Sequence, residues 1–188
     1  MKQFLTLNDL QNFDAQVALA KEIKANPYQF EELGKRKTLG LLFFNPSLRT
    51  RLSTQKAGRL LGMDVMVMNF SNEAWAIEYE DKTIMEGLRS EHVKEATQVV
   101  SQYCDVVGIR AFATLTDKEK DESEQVLQKF IQYASVPILN MESATAHPLQ
   151  ALADALTLTE LSLPKKPKVV LTWAPHPKAL PHAVGNLS

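Results

Sequence analysis

The stretch "TLGLLFFNPSLRTRLST", residues 38–54, decides the fold. Its first seven residues form a nearly unbroken apolar run, the pattern of a strand covered on both faces. Asn45-Pro46 ends the run. A helix follows from about Ser47 to Leu61, and Gly62 is placed as its C-terminal cap. Arg49 and Arg51 then fall in the first helical turn. Cations there oppose the helix dipole, at a cost of roughly a few tenths of a kcal/mol each. A capping turn accounts for Ser47 but not for two arginines. An anion cradle accounts for all three: a hydroxyl, free N–H groups and two forked guanidinium donors suited to phosphate oxygens.

Outward from this stretch, strand and helix alternate. Residues 8–25 read as a helix, with Leu10, Phe13, Val17, Ala20 and Ile23 on one face and Asn8 or Asp9 as its cap. Asn26-Pro27 stops it. "MDVMVMNF" is the next strand. Residues 71–89 lack periodicity and read as a long loop, of the kind that often carries function. Residues 90–103 read as a helix with Glu91 favouring its start. "DVVGIRAF" is a buried strand, and 117–134 a helix with a very polar outer face. "VPILNM" is a short strand, and "HPLQALADALTLTEL" a helix with Pro148 in its first turn. This alternation predicts an α/β fold, a parallel sheet with helices on both faces.

"SLPKKPK", residues 162–168, breaks the composition and reads as a connector. "VVLTW" after it reads as a fresh strand. The expected organisation is one domain over residues 1–160 and the beginning of a second α/β domain over 161–188. A fragment of that size cannot bury its own core, so the natural chain is expected to continue past Ser188.

Composition narrows the function. The chain has 21 basic and 22 acidic residues, without the basic excess of a nucleic-acid or membrane-surface binder. A small charged metabolite needs only a local cluster. The single cysteine, Cys104, excludes an internal disulfide and reads as a small buried residue in a reducing compartment. No signal peptide or apolar run of transmembrane length is seen, so a cytoplasmic location is expected. Asn69-Phe70-Ser71 and Asn186-Leu187-Ser188 match the glycosylation pattern, without meaning in that compartment. No GxGxxG, no GxxxxGK[ST] and no Cys/His cluster at zinc spacing occurs, which argues against a nicotinamide oxidoreductase. Neither cofactor nor metal is expected.

Ligands of open parallel sheets sit beyond the C-terminal ends of the strands. Arg110 follows "DVVGI", either as a solvated strand end or as a ligand contact. Glu142 follows "VPILNM". His147-Pro148-Leu149-Gln150 opens the next helix, as a plain turn or as part of a site. Together they bring polar side chains to the rim where Ser47 lies, as in an active site built from several βα loops.

At this point the sequence resembles the aspartate/ornithine carbamoyltransferase family. The phosphate motif Ser-x-Arg-Thr-Arg is matched by Ser47 to Arg51, the His-Pro-x-Gln signature by His147 to Gln150, and an intervening strand-end arginine by Arg110. "ILNMESATAHPLQALAD", "TWAPHP" with His176-Pro177, and Trp75 in "NEAWAIEYED" look like the subgroup acting on N-acylated ornithine, with N-succinylornithine ahead of N-acetylornithine. The resemblance implies carbamoyl phosphate binding by Ser47, Leu48, Arg49, Thr50, Arg51, Trp75, Arg110, His147 and Gln150. It implies carbonyl polarisation by Thr50, Arg110 and His147, and acylornithine binding by Glu142 and His176. It also implies a homotrimer, in which the loop carrying Trp75 reaches a neighbouring subunit's site. The residue that selects the acyl group is expected near Ser90. The alternatives are an ordinary ornithine or aspartate carbamoyltransferase, or a noncatalytic phosphometabolite-binding relative. The family's second-domain lysine and late Cys-Leu-Pro motif do not occur in these 188 residues.

Overall fold

The protein is described by a computed structural model over residues 3–70, 76–85, 89–161, 163, 167–168 and 170. The strands are β1 (Thr38–Phe43), β2 (Asp64–Asn69), β3 (Ile77–Glu78), β4 (Glu91–His92), β5 (Val106–Arg110) and β6 (Ile138–Glu142). The helices are α1 (Phe13–Ala25), α2 (Arg49–Leu60), α3 (Val93–Tyr103), α4 (Lys118–Glu122), α5 (Gln125–Tyr133) and α6 (Pro148–Glu160). Four strands form one parallel sheet in the order β2-β1-β5-β6, and β3 pairs with β4 separately. The α/β class read from the sequence is what the chain adopts.

β1 sits between the strand that follows it directly and one from much later in the chain. The sheet therefore reverses direction beside β1, and a crevice opens outside the strand ends at such a reversal. The register aligns that edge: Phe43 pairs with Asn69 and with Arg110, and Arg110 pairs with Glu142 across a register shift. Residues 3–5 run along the outer edge of β6. There Phe4 N donates to Ile138 O (3.1 Å) and Asn140 N donates to Phe4 O (2.8 Å), so that edge is not left unpaired.

Each sheet face buries its own apolar cluster. Leu42, Val107, Ile109 and Ile138 pack with Val93, Val100, Leu127 and Phe130 from α3 and α5. Leu39, Leu41, Phe43 and Met141 form the other cluster, with Leu149 of α6 against it. Fully burying one such side chain contributes about 1.5–3 kcal/mol. Cys104 is buried in the first cluster, as the sequence suggests.

Several boundaries differ from the sequence reading. Helix α1 begins at Phe13, capped by Asn12, whose Oδ1 accepts from Ala15 N (2.9 Å). Asp9 instead takes Leu5 N (2.6 Å) and Thr6 N (2.9 Å), which turns 7–9 into a separate 3-10 segment. The stretch 71–89 contains β3, and β4 takes Glu91–His92 from the expected third helix. His92 caps α3 by accepting from Lys94 N. The expected helix 117–134 is two helices, broken at Ser123-Glu124, where Glu124 adopts φ +49. Gly62 follows α2 at φ +76, as a helix-terminating glycine should. Apart from Val170, which is described and is not in a strand, the strand expected at "VVLTW" lies outside the described residues, as does most of "SLPKKPK". Among the described residues, no helix is long and apolar enough to cross a membrane.

Candidate active site

The start of α2 differs from its expected form. Leu48, not Ser47, is the N-cap residue, and no side chain caps the helix. The reason is local: Pro46 and Ser47 belong to the turn leaving β1, and Leu48 already has right-handed helical angles. The N–H groups of Arg49, Thr50 and Arg51 thus have neither an intrahelical acceptor nor a side-chain cap. The Ser47 hydroxyl is buried and makes no hydrogen bond among the described residues. Arg49 is exposed and makes no hydrogen bond or ion pair among the described residues, and Arg51 donates to the neutral Asn69 Oδ1 (2.8 Å) beside the Phe43 ring. Two guanidinium groups, without a carboxylate partner among the described residues, flank open backbone donors.

Arg110 reaches this helix start directly. Its Nη1 donates to Pro46 O (2.9 Å), its Nε donates to Glu142 Oε2 (3.1 Å), and its Cζ lies 3.9 Å from the Phe112 ring centroid. A planar cation over an aromatic face, held at two edges, has one orientation. Burial lowers its pKa, and Glu142 works in the opposite direction. The Asn45 side chain supports the same loop, accepting from Phe112 N (2.7 Å).

His147 caps α6, its Nδ1 accepting from Gln150 N (3.3 Å). That bond leaves the proton of the neutral ring on Nε2, which lies 3.6 Å from Glu142 Oε2. Burial holds the imidazole pKa below its ordinary value of 6.5, and nearby Arg110 lowers it further, against the pull of Glu142. At neutral pH this residue is a neutral Nε2–H donor. The Gln150 amide nitrogen donates to Asp154 Oδ1 (2.9 Å), which turns its carbonyl oxygen away from that partner. Glu142 is linked to the site through Oε2, while its other oxygen makes no hydrogen bond among the described residues.

Ser47, Leu48, Arg49, Thr50 and Arg51 therefore meet Arg110, Glu142 and His147 at one rim, with Gln150 one turn into α6. Trp75 and His176 lie outside the described residues. The sequence reading missed Asn45, Asn69 and Phe112. Asn45 and Asn69 act through partners 67 and 18 residues away, which no spacing rule announces. The Phe112 ring, by contrast, lies against Arg110 from only two positions further along the chain and could have been found from that spacing. Ser90 lines a separate concavity of about 580 Å³ with Lys82, Glu91, His92 and Tyr133.

A rim of cationic and N–H donors at the reversal point of a parallel sheet defines a phosphometabolite-binding α/β domain. The chain belongs to the aspartate/ornithine carbamoyltransferase family: residues 2–160 match the model of its carbamoyl-P binding domain. It is 48% identical over 186 residues to the N-succinylornithine carbamoyltransferase of Bacteroides thetaiotaomicron, covering 99% of this chain and 58% of that protein. It is 41% identical over 191 residues to the N-acetylornithine carbamoyltransferase of Xanthomonas campestris pv. campestris, covering 99% of this chain and 56% of that one. A crystal structure of acetylornithine transcarbamylase complexed with acetylcitrulline superposes with a TM-score of 0.89 at 40% identity, over 100% of this chain and 57% of that one. The chain thus spans a little over half the length of these relatives.

Proposed function

We propose that the protein transfers the carbamoyl group of carbamoyl phosphate to the δ-amine of an N-acylated ornithine, N-succinyl-L-ornithine before N-acetyl-L-ornithine, releasing phosphate. The observation that carries this reading is the hydrogen bond from Arg110 to Pro46 O, which joins a carbonyl-polarising cation to the mouth of the α2 anion site. The higher identity to the succinylornithine enzyme supports the succinyl substrate.

The phosphate of the donor is held by Ser47, the first-turn N–H groups from Leu48 onward, Arg49, Thr50 and Arg51. The two guanidinium groups balance the charge that grows on it as the C–O bond breaks. Negative charge also develops on the carbonyl oxygen during attack. Arg110, the Nε2–H of His147 and the Thr50 hydroxyl donate to that oxygen, and one such donor is typically worth about 3–4 kcal/mol. The Gln150 carbonyl accepts from the carbamoyl NH₂. The attacking amine is neutral and loses its proton to the departing phosphate. No covalent enzyme intermediate is needed, since holding two substrates in line supplies much of the acceleration.

The second carboxylate oxygen of Glu142 and His176 take the acylornithine, and Trp75 contributes to the carbamoyl phosphate site from a neighbouring subunit of a homotrimer. Residues 1–160 form the carbamoyl phosphate domain and 161–188 begin the acceptor domain. The reaction is a step in cytoplasmic arginine biosynthesis. The test is a side-by-side assay of ornithine, N-acetylornithine, N-succinylornithine and aspartate, with the protein expressed from its own reading frame. Turnover of an acylornithine is expected. Turnover of free ornithine alone would overturn the acyl assignment.

A further inference from the structure

The end of α4 and its junction with α5 lie outside the proposed site, yet together they hold both loops that carry the site. Asp121 is buried, and its carboxylate accepts from Thr114 N (2.7 Å), Thr114 Oγ1 (2.9 Å) and Leu115 N (2.8 Å). Those bonds fix the loop after Arg110 and Phe112. Three residues later, Glu124 Oε1 accepts from Ser143 Oγ (2.5 Å), Thr145 N (2.8 Å) and Thr145 Oγ1 (2.6 Å). Those bonds fix the turn between Glu142 and His147.

The turn is further organised around the Ser143 hydroxyl, which accepts from the buried Asn140 Nδ2 (3.0 Å) and from Ala146 N (3.2 Å). Its own proton goes to Glu124, the closest acceptor around it. The carboxylate thus completes a hydroxyl that is otherwise saturated as an acceptor. To reach the turn, Glu124 breaks the helix and adopts φ +49, ψ +41. A residue with a Cβ holds that conformation where its surroundings over-determine it. A cavity of about 80 Å³ lined by Phe112, Asp121, Glu124, Ser143 and Ala144 lies behind the turn, giving it room to relax once the carboxylate is gone.

We propose that Glu124 is a positioning residue for the transfer reaction: its carboxylate sets the 143–146 turn and thereby aims the imidazole of His147 at the reacting carbonyl. The role rests on the carbamoyl-transfer reading above. Glu124 itself touches no substrate.

Glu124→Gly separates this role from a merely structural one. Glycine accepts the left-handed backbone freely, so the variant removes the carboxylate while relieving the strain. The test follows the imidazole titration of His147 by NMR, identified by its loss in His147→Asn, together with kcat and the affinity for carbamoyl phosphate. The charged groups facing His147 are Glu142, Arg110 and Asp154, and none is altered. In Glu124→Gly the titration midpoint is expected to rise toward 6.5 as the ring gains water. The kcat should fall at least tenfold, with carbamoyl phosphate affinity within twofold of the parent. Glu124→Gln keeps an acceptor oxygen and should restore kcat to within about threefold. An unchanged midpoint and kcat in a folded Glu124→Gly protein would overturn the proposal. Absence of transfer by the parent protein on every acceptor would count against the carbamoyl-transfer reading instead, and the titration would still report on the turn.

Discussion

Arg110 and Glu142 are paired across β5 and β6, joined by a 3.1 Å hydrogen bond, and the two side chains are each only 9% exposed. A guanidinium so far from water needs its counter-charge. Removing one member of a buried pair leaves the other uncompensated, at a cost of about 3–5 kcal/mol. Glu142→Ala should therefore destabilise the protein by about 3 kcal/mol, and Glu142→Gln, which keeps an acceptor, by less. Urea unfolding measures both. A loss under about 1 kcal/mol in the alanine variant would mean that Pro46 O and the Phe112 ring suffice to hold the cation.

Arg49 presents the opposite case. It is exposed and makes no hydrogen bond or ion pair among the described residues, so no described contact is lost with it. Its removal should cost ligand binding and not stability. Charge-assisted hydrogen bonds are worth about 1.5–3 kcal/mol, so Arg49→Ala should weaken carbamoyl phosphate binding at least tenfold by calorimetry. The unfolding midpoint should stay within a degree or so. Unchanged affinity would remove Arg49 from the site.

What the sequence exposed, and what it hid, follows from the range of the interactions. β1, β2, β5 and β6 were legible because each is an apolar run with polar residues at its end. The Ser47–Arg51 cluster was legible because it is contiguous, and Gly62 because a glycine after an amphipathic segment has few other uses. The break at Glu124 was not, because the periodicity through Leu127 and Phe130 favours an unbroken helix. Three hydrogen bonds to residues 19 and 21 positions away override it. The β3–β4 pairing is two residues long, too short to leave a pattern. Nor could any spacing rule place His147 3.6 Å from Glu142 through a turn whose shape Glu124 imposes.

Gly62 supplies a test of the fold alone. Its φ of +76 suits glycine, and a Cβ there would come within 2.2 Å of Glu31 O, a backbone atom that cannot rotate away. Gly62→Ala should therefore destabilise by more than the roughly 1 kcal/mol of an ordinary left-handed alanine, since the 3-10 turn holding Glu31 must shift as well. Thermal unfolding measures the loss. A neutral or stabilising result would contradict the close approach of residues 31 and 62.

His147 should make stability depend on pH in a defined direction. Its folded pKa lies below the ordinary 6.5, first because of burial. From about one pH unit above 6.5 the ring is neutral in both states and contributes no slope. As pH falls below 6.5 the unfolded chain binds a proton and the folded protein does not, so the unfolded state gains and stability declines. The decline ends once pH passes the folded pKa, where both states are protonated. His147→Asn retains an acceptor for the α6 cap and removes the titration, so its curve should be flatter over that window. Unfolding free energies from pH 5 to 8 for the two proteins test this. Equal slopes would mean that the imidazole is as well hydrated in the folded protein as in the unfolded chain. It would then be charged in mildly acid solution, contrary to the neutral Nε2–H donor that the carbonyl-polarising role requires.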